Sequence, residues 1–150
     1  MKKVIYFIII IMIIILSIVA LHISNKNEKS MKISSFNKQF EQYNGKSMYG
    51  TDVLTIINRA LDNNEEYDIP RDDEGFFVEN NVQAVYVDLI LLSKGNSGEE
   101  IEVEYKMEQL EKVGLEEFVA SFNLTAFHCE TIEYNSEGRV NRVVLKQLEI

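Results

Sequence analysis

The sequence predicts an α+β domain behind one N-terminal transmembrane helix: two helices packed on a small antiparallel sheet of about four strands, in the order α-α-β-β-α-β-β. Three observations carry this. An unbroken apolar run fills Val4 to Ile23. Two stretches with apolar residues at helical spacing follow it, and beyond them the period falls to two, in paired runs joined by glycine-bearing turns. Helices gathered at one end of an antiparallel sheet define the class.

Ten of the twenty residues from Val4 to Ile23 are isoleucine. At about 1.5 Å per residue they make a helix of about 30 Å, the thickness of a bilayer's hydrocarbon core. Each isoleucine near the helix centre favours insertion by about 0.5 kcal/mol, which Ser17 and His22 do not overturn. In water such a β-branched run is a poor helix, whereas in lipid its backbone must bond internally. A cleaved secretory signal is the alternative. Its core is shorter, and the best small-residue site, Ile18-Val19-Ala20, is bulky at its first position and lies inside the run. No cysteine lies near the end of the segment, which excludes a lipid-modified lipoprotein. Lys2 and Lys3 precede the run, and Lys26, Lys29 and Lys32 follow it, so the positive-inside count is nearly level. The basic head before an apolar core favours an N-terminus inside the cell and an extracytoplasmic domain.

Organisation along the chain is expected as anchor 1–23, polar tether 24–34 and one small domain 35–150. The remainder after the anchor is long enough for one core and too short for two. Cys129 is the only cysteine, so an internal disulfide and a cysteine metal cluster are both excluded. Charge is split. From Ser24 to Arg59 six basic residues face three acidic ones, and from Ala60 to Ile150 seven face twenty-one. Lys26, Lys29 and Lys32 are expected against anionic lipid headgroups, at about 1 kcal/mol each when close. The acidic remainder would repel nucleic acid, and simple solubility is its plainest role.

The elements follow in order. Ser24 to Ser35 is polar and aperiodic. Phe36, Phe40 and Tyr43 lie at i, i+4 and i+7 on one helix face, with Ser34 or Ser35 as cap and Asn44-Gly45 as stop. Such a stripe, extended by Tyr49, is either core or a partner surface. A second helix opens at Gly50 or Thr51, buries Val53, Leu54, Ile56, Ile57, Ala60 and Leu61, and closes at Asn63-Asn64. Ala84 to Leu92 is a nearly continuous apolar run, read as a central strand. Glu100 to Met107 alternates, with Ile101, Val103, Tyr105 and Met107 on one side, and reads as its hairpin partner; a charged helix from Glu99 is the rival. Leu115, Phe118, Val119 and Phe122 predict a short helix. Ala126–Tyr134 and Arg139–Leu148 form a closing hairpin around Asn135-Ser-Glu-Gly138.

The pattern Phe36-Asn37-x-x-Phe40-x-x-Tyr43-x-Gly45, then Gly50 and Val53-x-x-Ile56-Ile57, and finally Glu133-Tyr134-Asn135-x-x-Gly138, resembles a functionally uncharacterised group of small bacterial single-pass membrane proteins. The likeness covers the first 60 residues and the last 25 or so. It implies the layout and no activity.

Gly45 to Thr51 has the glycine spacing of a phosphate-binding loop but lacks the lysine before Thr51 and a preceding strand. With Gly75 at the sixth position of an EF-hand loop, Pro70 and Asn81 fall where carboxylates are needed. His128 and Cys129 are adjacent on a strand and so point to opposite faces. No catalytic, cofactor-binding or metal-binding residue is therefore assigned, and no cofactor is expected. The expected function is a membrane-anchored, non-catalytic extracytoplasmic domain binding a protein partner, with Asp68, Asp72, Asp73 and Glu74 as the partner surface. The alternatives are a structural subunit of a pilus-like or secretion assembly, a small-ligand sensor, and an enzyme relying on carboxylates alone. A pilin would need a glycine cleavage site and a glutamate five residues into the mature helix, and both are missing.

Overall fold

The computed structural model describes residues 2–79, 81–95 and 98–149. They fall into two units, Met1–Phe36 and Asn37–Ile150.

In the first unit, α1 (Lys2–Glu41) is helical across the whole apolar run. It is long and apolar enough to cross a membrane, and its described apolar side chains between Ile10 and Ile23 are exposed. The stretch 24–34, expected as an aperiodic tether, is helical too, and the aromatic segment from Phe36 is the end of α1 and not a separate capped helix. The reason is local. Neither glycine nor proline interrupts residues 24–41. A helix already nucleated adds residues at little further cost, and Lys32 pairs with Glu28 one turn away at 2.7 Å.

The second unit opens with the last turn of α1, from Asn37. A three-residue strand, β1 (Ser47–Tyr49), leads into α2 (Gly50–Glu66). Asp52 reaches back to accept the Tyr49 N–H at 3.2 Å, satisfying one orphan donor of the helix start. Gly50 is there for space: a Cβ would lie 2.1 Å from the Phe122 carbonyl oxygen. One face of α2 is fully buried through Val53, Ile56, Ile57 and Ala60. Each large aliphatic side chain so placed contributes about 1.5–3 kcal/mol.

Next come β2 (Tyr86–Lys94), β3 (Glu100–Lys106), α3 (Met107–Val113), α4 (Leu115–Phe122), β4 (Ala126–Tyr134) and β5 (Val140–Gln147). The strands form one sheet in the order β1-β4-β5-β2-β3. The α+β layout holds, with two corrections. There are five strands among the described residues, and the sheet is mixed, because β2 and β5 run parallel at its centre. The two hairpins were visible locally, but their mutual docking is a long-range matter that no turn residue encodes. The alternation from Glu100 also ends one residue early. Gln109 accepts the Lys106 N–H at 2.8 Å, which starts a helix at Met107.

Val87, Leu89 and Leu91 of β2 pair with Val143 and Leu145 of β5 and with Val103 and Tyr105 of β3 on one face, and the helices cover it. Phe127 and Cys129 of β4 join them; a bulge at Glu130 then shifts the register, so that Ile132 points inward next. The opposite face carries Asp88, Arg142, Lys146, Glu102 and Glu133.

Buried amides fasten helices to strands. Asn64, fully buried, donates to the Val85 carbonyl at 2.8 Å and accepts the Val85 N–H at 2.8 Å. Asn37 does the same for the closing hairpin, donating to Gly138 O at 2.8 Å and accepting from Val140 N at 2.9 Å. Asn63 accepts from Arg139 at 2.6 Å, and that guanidinium also reaches Gln83 O. Burial pushes the Arg139 pKa down. Replacing Asn64 by Ala strands two backbone groups in the core, so Asn64→Ala should destabilise the domain by about 2–4 kcal/mol. Asn58→Ala, on the exposed side of the same helix, should change it by less than about 0.5 kcal/mol. Urea unfolding of the full chain in detergent, followed by tyrosine fluorescence, measures both.

Candidate functional site

The acidic segment expected as a partner surface is a shaped loop. Asp72 Oδ1 accepts the N–H groups of Glu74 at 3.0 Å and Phe76 at 2.9 Å, and the Asp72 N–H returns to Phe76 O at 2.8 Å. Asp72 is thus spent on the turn itself. Asp68 has a left-handed backbone, φ 50°, a conformation that Asp and Asn tolerate better than most. Asp73 and Glu74 are exposed at the tip.

This loop is held against α3. Arg71 makes a two-pronged pair with Glu111, at 2.8 and 3.1 Å, and stacks over the Phe77 ring at 4.0 Å. Hydrogen bonding to Glu111 raises the Arg71 pKa. Lys112 donates to the Glu74 carbonyl and lies 4.7 Å from the Phe76 ring centre. Glu108, 2% exposed, accepts the Phe77 N–H at 3.0 Å. The basic residues near the loop thus secure its backbone, and the carboxylates of Asp68, Asp73 and Glu74 face outward.

A polar groove that no motif in the sequence announces lies beside this loop. Its cavity is about 260 Å³ and is lined by Glu79, Asn81, Tyr86, Asn135, Asn141 and Arg142. Arg142 is the hub. It bonds to Asp88, which is almost fully buried, and lies 3.6 Å from Glu79 and 3.9 Å from Glu133. Burial alone would pull its pKa down, but the bond to Asp88 and the charges of Glu79 and Glu133 more than offset that. The period-two pattern around Val143 could have flagged Arg142 as facing away from the core, and the closing hairpin sets Glu133 opposite it, but Glu79 and Asp88 come from distant segments.

Lys146 forms a second node on the same sheet face, 2.5 Å from Glu102 and 3.9 Å from Glu130. Basic side chains of β5 therefore run between flanking carboxylates, an arrangement that neutralises the middle of the face and leaves its β3 margin acidic. Lys26, Lys29 and Lys32 lie on exposed positions of α1 in the other unit. Phe40 of the aromatic stripe is core, whereas Tyr49 is 58% exposed. His128 is half-buried and Cys129 fully buried, on opposite faces of β4. Among the described residues no group of three His, Cys, Asp or Glu is placed to hold a metal ion.

The chain matches no protein-family model, no curated protein and no solved structure.

Burial pushes the Cys129 thiol up, against a smaller opposing effect of the Gly45 N–H. A raised native pKa means that the neutral thiol stabilises the fold fully below the unfolded value, about 8.5, and that this contribution is lost as pH rises through the native value. Cys129 should accordingly react slowly with a thiol-titrating reagent at pH 8 in the native chain and at once in urea. Equal rates would show that the strand opens readily.

Proposed function

We propose that this chain is a membrane-anchored, non-catalytic domain that presents an acidic surface to a protein partner outside the cytoplasm. The observation that carries the reading is the loop at Asp68–Glu74. Its backbone is secured by Asp72, Arg71 and Lys112, so its outward carboxylates are displayed at set positions and not scattered on a loose segment. A pre-shaped charged surface loses less freedom on association than a mobile one. The apolar helix supports the anchor, since its exposed side chains between Ile10 and Ile23 would leave a long apolar surface uncovered in water. The Arg142 groove gives less support to small-ligand sensing, because its cation is already shared among Asp88, Glu79 and Glu133.

The test is detergent co-purification of the tagged full-length chain after mild crosslinking in its own cells. A discrete, stoichiometric partner is expected. The variant Asp68→Asn, Asp72→Asn, Asp73→Asn, Glu74→Gln removes the loop charges while an amide oxygen takes the place of the Asp72 carboxylate oxygen that accepts the two turn N–H groups. It should melt within a few degrees of the parent and recover at most about a fifth as much partner, as loss of a charged contact surface requires. Undiminished recovery would remove the loop from the interface. Alkaline phosphatase fused at the C-terminal end should be active, and a fluorescent protein fused there dark; the reverse would place the domain inside.

A further inference from the structure

The two edges of the sheet differ. β1 has three residues, but β3 has seven and, among the described residues, pairs only with β2. The direction of its free backbone groups follows from the register. The Gly95 N–H bonds to Glu99 O at 2.7 Å, and the Leu92 N–H bonds to the Gln147 side chain on the β5 side. Antiparallel strands alternate inward and outward pairs, so Ile101, Val103 and Tyr105 turn their N–H and C=O groups to β2. Glu100, Glu102 and Glu104 therefore turn theirs outward. The residues offering the free backbone groups are thus the ones that carry carboxylates, and all three are exposed. Between them Ile101, 40% exposed, and the half-buried Val103 and Tyr105 form an apolar margin on the helix-covered side.

We propose that the β3 edge is the seat of the partner: an extended segment alternating basic and apolar residues adds to the sheet as a sixth strand beside Glu100–Lys106. The inference rests on the partner-binding reading and names its surface. Charge complementarity selects the occupant. A second copy of β3, centred on Val103, would set Glu102 against Glu104, and like charges directly opposite are unfavourable. A lysine or arginine opposite Glu104 meets an exposed carboxylate on one face, one opposite Glu102 shares its carboxylate with Lys146, and the intervening apolar side chain extends the row of Ile101, Val103 and Tyr105 on the other. The acidic loop continues the same surface: Lys106 at the end of β3 lies 5.4 Å from the Phe76 ring centre and 3.8 Å from Glu79.

The probe is a labelled synthetic peptide alternating lysine and valine, compared with the same sequence N-methylated along its backbone, each titrated against the full-length chain in neutral detergent. The alternating peptide should bind about tenfold more tightly than the N-methylated peptide, which has no backbone N–H to donate to the edge. It should also slow amide exchange in the segment spanning Glu100–Lys106. Glu104→Lys should weaken it about tenfold, and Glu102→Pro, which removes an outward N–H and none of the bonds to β2, should do likewise. Equal binding of the two peptides, binding of neither, or protection elsewhere in the chain would overturn the edge seat. In the co-purification, equal recovery of a discrete partner by wild type and Glu104→Lys would sink the edge and leave the anchored-binder reading intact. No partner with wild type, alongside the expected peptide behaviour, would sink that reading and support the edge.

Discussion

Paired hydrogen bonds from buried asparagines are the constraint on which the domain depends. Asn37 and Asn64 each present one donor and one acceptor to a strand backbone, as a neighbouring strand would. The helix ends are thereby registered against the sheet to within a hydrogen-bond length. Apolar packing by Val53, Ile56 and Ile57 drives α2 onto the sheet without fixing its axial position, since aliphatic contacts tolerate sliding. The amides remove that freedom, because a shift would strand buried polar groups.

This gives physical content to the two halves of the signature described from sequence. Asn37, between Phe36 and Phe40, bonds to the Gly138 end of the closing turn. Tyr134 donates to Glu41 at 3.0 Å, and Asn135 holds the turn by accepting from Glu137 and Arg139. Gly138, at φ 77°, supplies the left-handed step the turn needs. Residues a hundred positions apart in sequence meet as one joint.

Much of the fold was legible because its signals are local. The strand boundaries of Ala126–Tyr134, the wet face of Glu100–Lys106 and the buried stripe of α2 each follow from a period that neighbouring residues reveal. What escaped is non-local or too short. β1 is three residues whose pairing depends on β4. The parallel contact of β2 with β5 depends on how two finished hairpins dock. Asn63 and Asn64 read as a helix stop by their residue type, yet α2 runs on to Glu66, because tertiary hydrogen bonds give these amides work inside a helix. The same holds for the candidate site. The acidic loop was visible as composition, but Arg71, Glu111 and Lys112, which shape it, and the Asp88–Arg142 pair are brought together only by the fold.

The position of β5 bears on how the chain is born. The final strand of the sequence is the middle strand of the sheet, between β4 and β2. A chain threading out of a ribosome or a translocation channel can form the β2–β3 hairpin early, but it has no partner for the other side of β2 until β5 emerges. Until then Val87, Leu89 and Leu91 lack their β5 neighbours, and Asn37 has no turn to grip. Completion of the sheet must therefore wait for β5, with a nascent intermediate that exposes a long unpaired strand and is a natural client for a chaperone.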